Sequence, residues 1–209
     1  MELDPRSPFG RQGLACCLIT SGRLEEGAGE ALRAAELDPL SLILQWTASA
    51  LIYYTRQYDR AIAEARKCLE MDASFPHPWW TIALSLAKKH TGETGIEELE
   101  SAARAAGENQ LFLGALGHCY AVAGRRADAL RVLERFRELS LERPYGSAYW
   151  PAAVCASLGE RDEAFRLLEI ARKEPSPWMP YVRVAPFFDD LRSDPRFDAF
   201  LRRMNFPES

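Results

Sequence analysis

A period of 34 residues constrains this chain more than any other feature. Glu2-Leu3-Asp4-Pro5 returns as Glu36-Leu37-Asp38-Pro39 and, degraded, as Glu70-Met71-Asp72-Ala73. Small residues keep the same step at Gly27, Ala61, Gly95 and Ala129 and, after one inserted residue, at Ala164. Self-similarity at such a period signals one supersecondary unit stacked on its own copies, because a single unit cannot bury its apolar face alone. Candidate turn residues precede the small ones at Gly22, Arg56, His90, Gly124 and Gly159. Three of them are glycines, suited to the left-handed conformation that ends a helix. Between these marks the apolar spacing is helical, as in Leu14 and Leu18, in Trp79, Ile82 and Leu86, or in Leu130, Leu133 and Phe136. No segment alternates with the period of a strand. The reading is all-α, two helices per repeat, with helices expected near 8–20, 24–35, 42–55, 58–71, 76–90, 94–106, 110–123, 126–140, 147–158 and 161–173.

Composition supports a packed fold and narrows its partners. With 47% hydrophobic and 27% charged residues in 209, the chain buries a core and is too apolar for disorder. Twenty-six basic residues against thirty acidic ones leave no cationic excess to displace counterions from phosphate, so neither nucleic acid nor an anionic membrane is an expected partner. Apolar runs such as Leu14–Ile19 fall far short of the roughly 18–20 residues that span a bilayer. The opening MELDPRSPFG has no basic start and no apolar stretch before a cleavage site. A cytoplasmic location is expected. Cysteines at 16, 17, 68, 119 and 155 are odd in number and lack CxxC spacing; all five are expected as reduced, core-packed thiols.

The repeat resembles the tetratricopeptide (TPR) family, whose pattern is Trp-x2-Leu-Gly-x2-Tyr on a first helix, then Ala-x3-Phe and a closing Pro. The fourth repeat carries it best, with Leu113, Leu116, Gly117, Tyr120, Ala129 and Leu133; the third offers Trp79, Ile82, Ala83 and Leu86, and the first Leu14, Ala15, Leu18, Gly27, Ala31 and Pro39. Small residues on both helices let the backbones approach. The resemblance implies a right-handed α-solenoid of about five repeats (8–41, 42–75, 76–109, 110–144 and 145–174) in an array over residues 1–173. The fifth departs from the pattern at Pro151, which fits if Ser147 caps a helix starting late.

The two ends differ from the array. Glu2-Leu3-Asp4-Pro5 reads as the close of a second helix whose body is absent, which suggests a longer parent and an apolar surface exposed on the first repeat. Homodimerisation through that repeat is one consequence. After Ala171, prolines at 175, 177, 180, 186 and 195 cut the chain into short pieces. Residues 175–209 are expected to form C-terminal capping helices near 186–192 and 195–204, with Asp194 as an N-cap. Phe187, Phe188, Leu191, Phe197, Phe200, Leu201 and Met204 would cover the fifth repeat. This ending resembles the close of repeat arrays in bacterial signalling proteins, where the array follows a winged-helix, serine/threonine kinase or nucleotide cyclase domain.

Catalysis would need groups converging on a pocket, and the three histidines at 77, 90 and 118 lie in separate repeats. His118 and Cys119 are helix neighbours about 100° apart and do not face each other. Asp189, Asp190, Asp194 and Asp198 read as caps and solvated surface. No enzyme activity, cofactor or metal is expected. The TPR resemblance implies instead a concave groove lined by the first helices, with Trp46, Tyr53, Tyr54, Trp80, His118, Tyr149 and Trp150 as the expected contacts for a protein or peptide segment of apolar or helical character. The lysine, asparagine and arginine that clamp a chaperone's terminal carboxylate in some family members are missing from these positions. A ligand-sensing domain controlling an attached kinase, cyclase or transcription factor is the alternative. Three rings of about 200 Å2, half covered already, give roughly 7–8 kcal/mol gross. Association consumes at least about 4 kcal/mol, so capture should be no tighter than about micromolar. Alanine at Trp80 and Trp150 is expected to abolish capture without unfolding the chain.

Overall fold

The computed structural model describes residues 7–89, 95–107, 109–142 and 148–206. Among them every regular element is helical. Five consecutive pairs carry the array: α1 (Pro8–Thr20) with α2 (Leu24–Leu37), α3 (Leu42–Tyr54) with α4 (Tyr58–Met71), α5 (His77–Lys88) with α6 (Ile96–Ala105), α7 (Gln110–Val122) with α8 (Arg126–Glu142), and α9 (Tyr149–Ser157) with α10 (Arg161–Ala171). Each helix packs on its pair mate, and the first helices α1, α3, α5, α7 and α9 lie side by side in chain order. This is the helical stack that the 34-residue period requires.

The turns between pair mates show why the period holds. Gly22, Gly124 and Gly159 have φ of +92°, +74° and +78°, and the next amide reaches back into the preceding helix, as Arg125 N to Tyr120 O at 2.8 Å and Glu160 N to Cys155 O at 2.9 Å. That closure satisfies carbonyls which a helix end leaves free. Arg56 takes the same turn with φ +64°, a conformation that costs a residue with a Cβ about 1–2 kcal/mol. From this turn its guanidinium reaches Tyr54 O (3.0 Å) and Asp189 Oδ1 (2.7 Å). The expected turn at His90 lies outside the described residues, as does Glu2-Leu3-Asp4-Pro5.

α9 begins at Tyr149, so Pro151 falls in its first turn, where no amide hydrogen is needed. The expected cap, Ser147, lies outside the described residues. Glu174 Oε2 accepts the Ala148 amide at 3.1 Å and so ties down this helix start.

Residues beyond α10 correct the expected cap. α11 (Pro195–Arg203) does lie on α10: Arg196 Nη1 meets Asp162 at 2.7 Å, its guanidinium covers Phe165 at 4.4 Å, and Arg203 pairs with Glu169. Asp194 caps it, accepting the Arg196 amide at 2.9 Å. The stretch before it behaves differently. Of two 3-10 turns, Met179–Tyr181 and Pro186–Leu191, the second does lie on the fifth repeat, at α9, but on its inner face, and the segment also crosses that face as far as the first repeat, where Arg183 Nη1 donates to Ser21 O at 3.5 Å.

Helix spacing rests on absent side chains. A Cβ at Gly114 would sit 2.2 Å from Trp150 Cε3, one at Gly117 2.5 Å from Val154 Cγ2, and one at Gly27 2.7 Å from Ile19 Cγ1. At Gly29 it would meet nothing within 4 Å. Gly114→Ala is therefore expected to lower unfolding free energy in urea by about 1–3 kcal/mol or more through overpacking. Gly29→Ala should raise it by up to about 1 kcal/mol through helix propensity. Equal effects would show that close approach does not set the helix spacing.

Candidate functional site

The first helices bring the expected groove residues together. α3 supplies Trp46, Tyr53 and Tyr54, α5 supplies Trp80, α7 supplies His118, and α9 supplies Tyr149 and Trp150. Rings meet along the face: Trp46 and Trp80 centroids are 6.4 Å apart, Tyr53 and Trp80 5.8 Å, Tyr149 and Trp150 5.2 Å. Helical register thus placed these side chains on the inner side of the first helices.

What covers that surface was not expected. Trp46 is half-buried, whereas Tyr53, Tyr54, Trp80, His118, Tyr149 and Trp150 are buried, and the cover is the chain's own residues 178–191. Phe187 is the centre of it. Its ring lies 5.0 Å from His118, 5.6 Å from Trp150, 6.1 Å from Tyr53 and 6.5 Å from Trp80, edge-on to three of the four. Edge-to-face contacts of this kind add about 0.5–1.5 kcal/mol beyond area burial. Phe188 lies 5.5 Å from Tyr149, Tyr181 5.1 Å from Tyr54, and Trp178 5.3 Å from Trp150. The idea of an open groove with free rings is therefore corrected, and the expected harmlessness of alanine at Trp80 and Trp150 with it. Removing a fully buried tryptophan costs about 3–5 kcal/mol.

Electrostatics hold the segment at its edge. Asp189 Oδ1 accepts from Arg56 Nη2 and from Arg192 Nε, both at 2.7 Å, and Arg192 Nη1 donates to Arg183 O at 2.7 Å. Lys88, half-buried nearby, has its pKa pulled down by burial while Asp189 and Asp190 support the charge. Of the acidic cluster, Asp189 is an ion-pair partner, Asp194 a helix cap, and Asp190 and Asp198 are exposed.

His118 has no catalytic partner in Cys119. Ser157 Oγ donates to Ala153 O at 2.8 Å, so it accepts from His118 Nδ1–H at 2.6 Å, which fixes the tautomer and leaves Nε2 bare. Burial, with a smaller push from Lys88, lowers this imidazole to about 3. Burial lifts the Cys119 thiol to about 12, and those of Cys68 and Cys155 to about 11. All five cysteines are free, but Cys17 is exposed on α1 and so departs from the core role expected of it. Among the described residues no group of three or more His, Cys, Asp or Glu side chains is placed to hold a metal ion, and no helix is long and apolar enough to cross a membrane.

Sequence reasoning missed Trp178, Tyr181 and the groove role of Phe187 and Phe188. A signal was present: an aromatic, nearly uncharged groove and an aromatic, proline-broken tail have matching chemistry.

Comparison with known proteins finds only weak structural similarity. No protein-family model and no curated protein matches the chain. Among solved structures it is similar to YrrB, described as a TPR protein with an unusual peptide-binding site, at 15% identity and a TM-score of 0.44 over 96% of this chain and 94% of that one. It is similar to Naa15/Naa10 bound to HypK-THB at 17% identity and 0.40, covering 96% of this chain and 31% of that one. It is similar to the P58(IPK) TPR domain at 15% and 0.35, covering 97% and 58%. Nothing about this chain's ligand follows from these likenesses.

The buried imidazole predicts a pH dependence. Its folded pKa, about 3, lies below the roughly 6.5 of an exposed histidine, so the folded state binds the proton less readily than the unfolded one. Stability is full above pH ~6.5 and is lost as pH falls through that value toward 3. Asp194, held near 2 by Arg196, and the other lowered carboxylates act only below about pH 4.5. Melting temperature should drop between pH 6.5 and 4.5, and His118→Gln should flatten that slope, leaving a smaller share from His77, which burial also lowers. An unchanged slope in the variant would refute the burial of a neutral His118.

Proposed function

We propose that the chain is a non-enzymatic protein-interaction module whose concave groove takes an apolar, aromatic protein segment, with Trp46, Tyr53, Tyr54, Trp80, His118, Tyr149 and Trp150 as its contacts. The insertion of Phe187 among four of those rings supports it. The groove already holds a segment of this chemistry, contributed by its own chain. In this reading residues 178–191 are the resident ligand, and an external segment enters only when the resident one is loosened.

Magnitudes argue the same way. Met179, Val182, Val184, Phe187, Phe188 and Leu191 are all buried, and at about 1.5–3 kcal/mol per side chain they supply roughly 9–18 kcal/mol gross. A free peptide offering three rings grosses about 7–8 kcal/mol before association costs. It loses to a tethered competitor.

A ligand-sensing role would call for an enclosed cavity along the groove, which Phe187 and Phe188 fill. The clefts described, of about 320 to 620 Å3, lie instead outside the groove, one of about 450 Å3 between α8 and α10, floored by Leu133, Phe136 and Leu167. The resemblance of the C-terminal stretch to array ends in bacterial signalling proteins supports placing the module, as a scaffold, in a larger cytoplasmic regulatory protein.

A labelled peptide spanning residues 176–193, titrated against the intact chain and against Phe187→Ala by fluorescence anisotropy, tests this reading. The variant should bind it at about micromolar strength, at least ~10-fold more tightly than the wild type. Phe187→Leu, which leaves a smaller void, should fall between them and remains usable if the alanine variant unfolds. A folded variant that ignores the peptide would remove the groove from the function.

A further inference from the structure

α1 meets no preceding helix among the described residues, and the repeat register shows which of its side chains such a helix would cover. In steps of 34, Gly13 corresponds to Thr47, Thr81 and Ala115, Leu14 to Ala48, Ile82 and Leu116, and Cys17 to Leu51, Ser85 and Cys119. All nine counterparts are buried, where each first helix joins the preceding repeat. On α1 the same positions are open: Gly13 and Cys17 are exposed, Leu14 is 44% exposed and the adjoining Phe9 59%. A Cβ at Gly13 would meet nothing within 4 Å. The stacking interface of the array therefore continues onto an apolar face of the same kind.

That face is also electrically quiet. Arg11, the one charged residue of α1, meets Glu30 at 2.6 Å, and Arg23 beyond its end meets Glu26 at 2.5 Å.

We infer that this face pairs with its own counterpart on a second copy of the chain, α1 crossing α1 antiparallel about a twofold axis. Self-complementarity selects that occupant. The knob, Leu14, and the hollow, Gly13, are neighbours on one helix, and an axis between them seats Leu14 of each copy on Gly13 of the other and Cys17 on Gly10. An isologous contact needs this reciprocity, and a neutral face does not repel its duplicate. One helix face falls below the roughly 800 Å2 per partner of a standard interface, so the dimer is weak, with a dissociation constant on the order of 10–100 µM. The groove segment adjoins this face, since its Tyr181 bonds Cys16 and lies near Cys17, but the pairing of α1 with α1 does not depend on what occupies the groove.

Sedimentation equilibrium of the intact chain from about 1 to 500 µM spans that range. The expected result is a monomer–dimer equilibrium that Leu14→Lys weakens at least about 30-fold, with the circular dichroism spectrum unchanged. Alkylation of Cys17, identified by its loss in Cys17→Ser, should slow as the dimer forms. A monomer at every concentration with a freely reactive Cys17 overturns the inference and leaves the face to a different protein. A monomer whose Cys17 is already protected overturns it in favour of cover by residues 1–6. A dimer that survives Leu14→Lys overturns it by showing that copies meet elsewhere.

Discussion

Close approach of helix backbones at residues with little or no side chain is the constraint on which the remainder of this structure depends. Gly114 admits the Trp150 ring, Gly117 admits Val154, and Gly27 admits Ile19, each at a distance no Cβ would tolerate. Ala15, Ala61, Ala115, Ala129 and Ala164, all wholly buried, do the same with one methyl each. Because interiors are close-packed, a helix pair cannot widen locally without opening a void. Repeating the small residues at one interval repeats the spacing, and the first helices then line up into one inner face. The groove follows from that alignment.

An inner face so rich in rings is costly to leave wet. Tyr53, Trp80, Tyr149 and Trp150 are each at most 2% exposed, with residues 178–191 lying across them. The hydrophobic contribution of that segment far exceeds what its ion pairs add. Arg56–Asp189, 37% and 30% exposed, and the many i,i+3 pairs along the second helices are screened surface interactions worth about 0–1 kcal/mol each. Their role is registration: Arg56 adopts a left-handed turn and from there reaches both Asp189 and, at 3.4 Å, Val184 O. Burial decides that the segment stays, and the charges decide where along the face it stays.

Much of this was legible from residue order. Helix periodicity, the 34-residue step and the turn glycines located the five pairs, and the same arithmetic put Trp46, Tyr53, Tyr54, Trp80, His118, Tyr149 and Trp150 on one face. Asp194 was recognisable as a cap because its chemistry is local. The destination of Phe187 was not, since a proline-broken aromatic stretch is compatible with any apolar surface in reach. Cys17 misled in the opposite sense: its repeat counterparts are core residues, but it sits on the first helix, where no preceding repeat is described to cover it.

The sequence by itself determined which residues are helical, where the chain turns and which side chains share a face, because these follow from spacing and from backbone preferences that each residue carries with it. Only the tertiary structure decided that the inner face is occupied by residues 178–191, that His118 is neutral beneath Phe187, and that the first repeat presents Phe9 and Leu14 outward. Those outcomes depend on contacts between segments as much as 162 residues apart, such as Arg183 with Ser21. At that separation the competition among apolar surfaces is settled by shape and packing, which no local pattern of residues encodes.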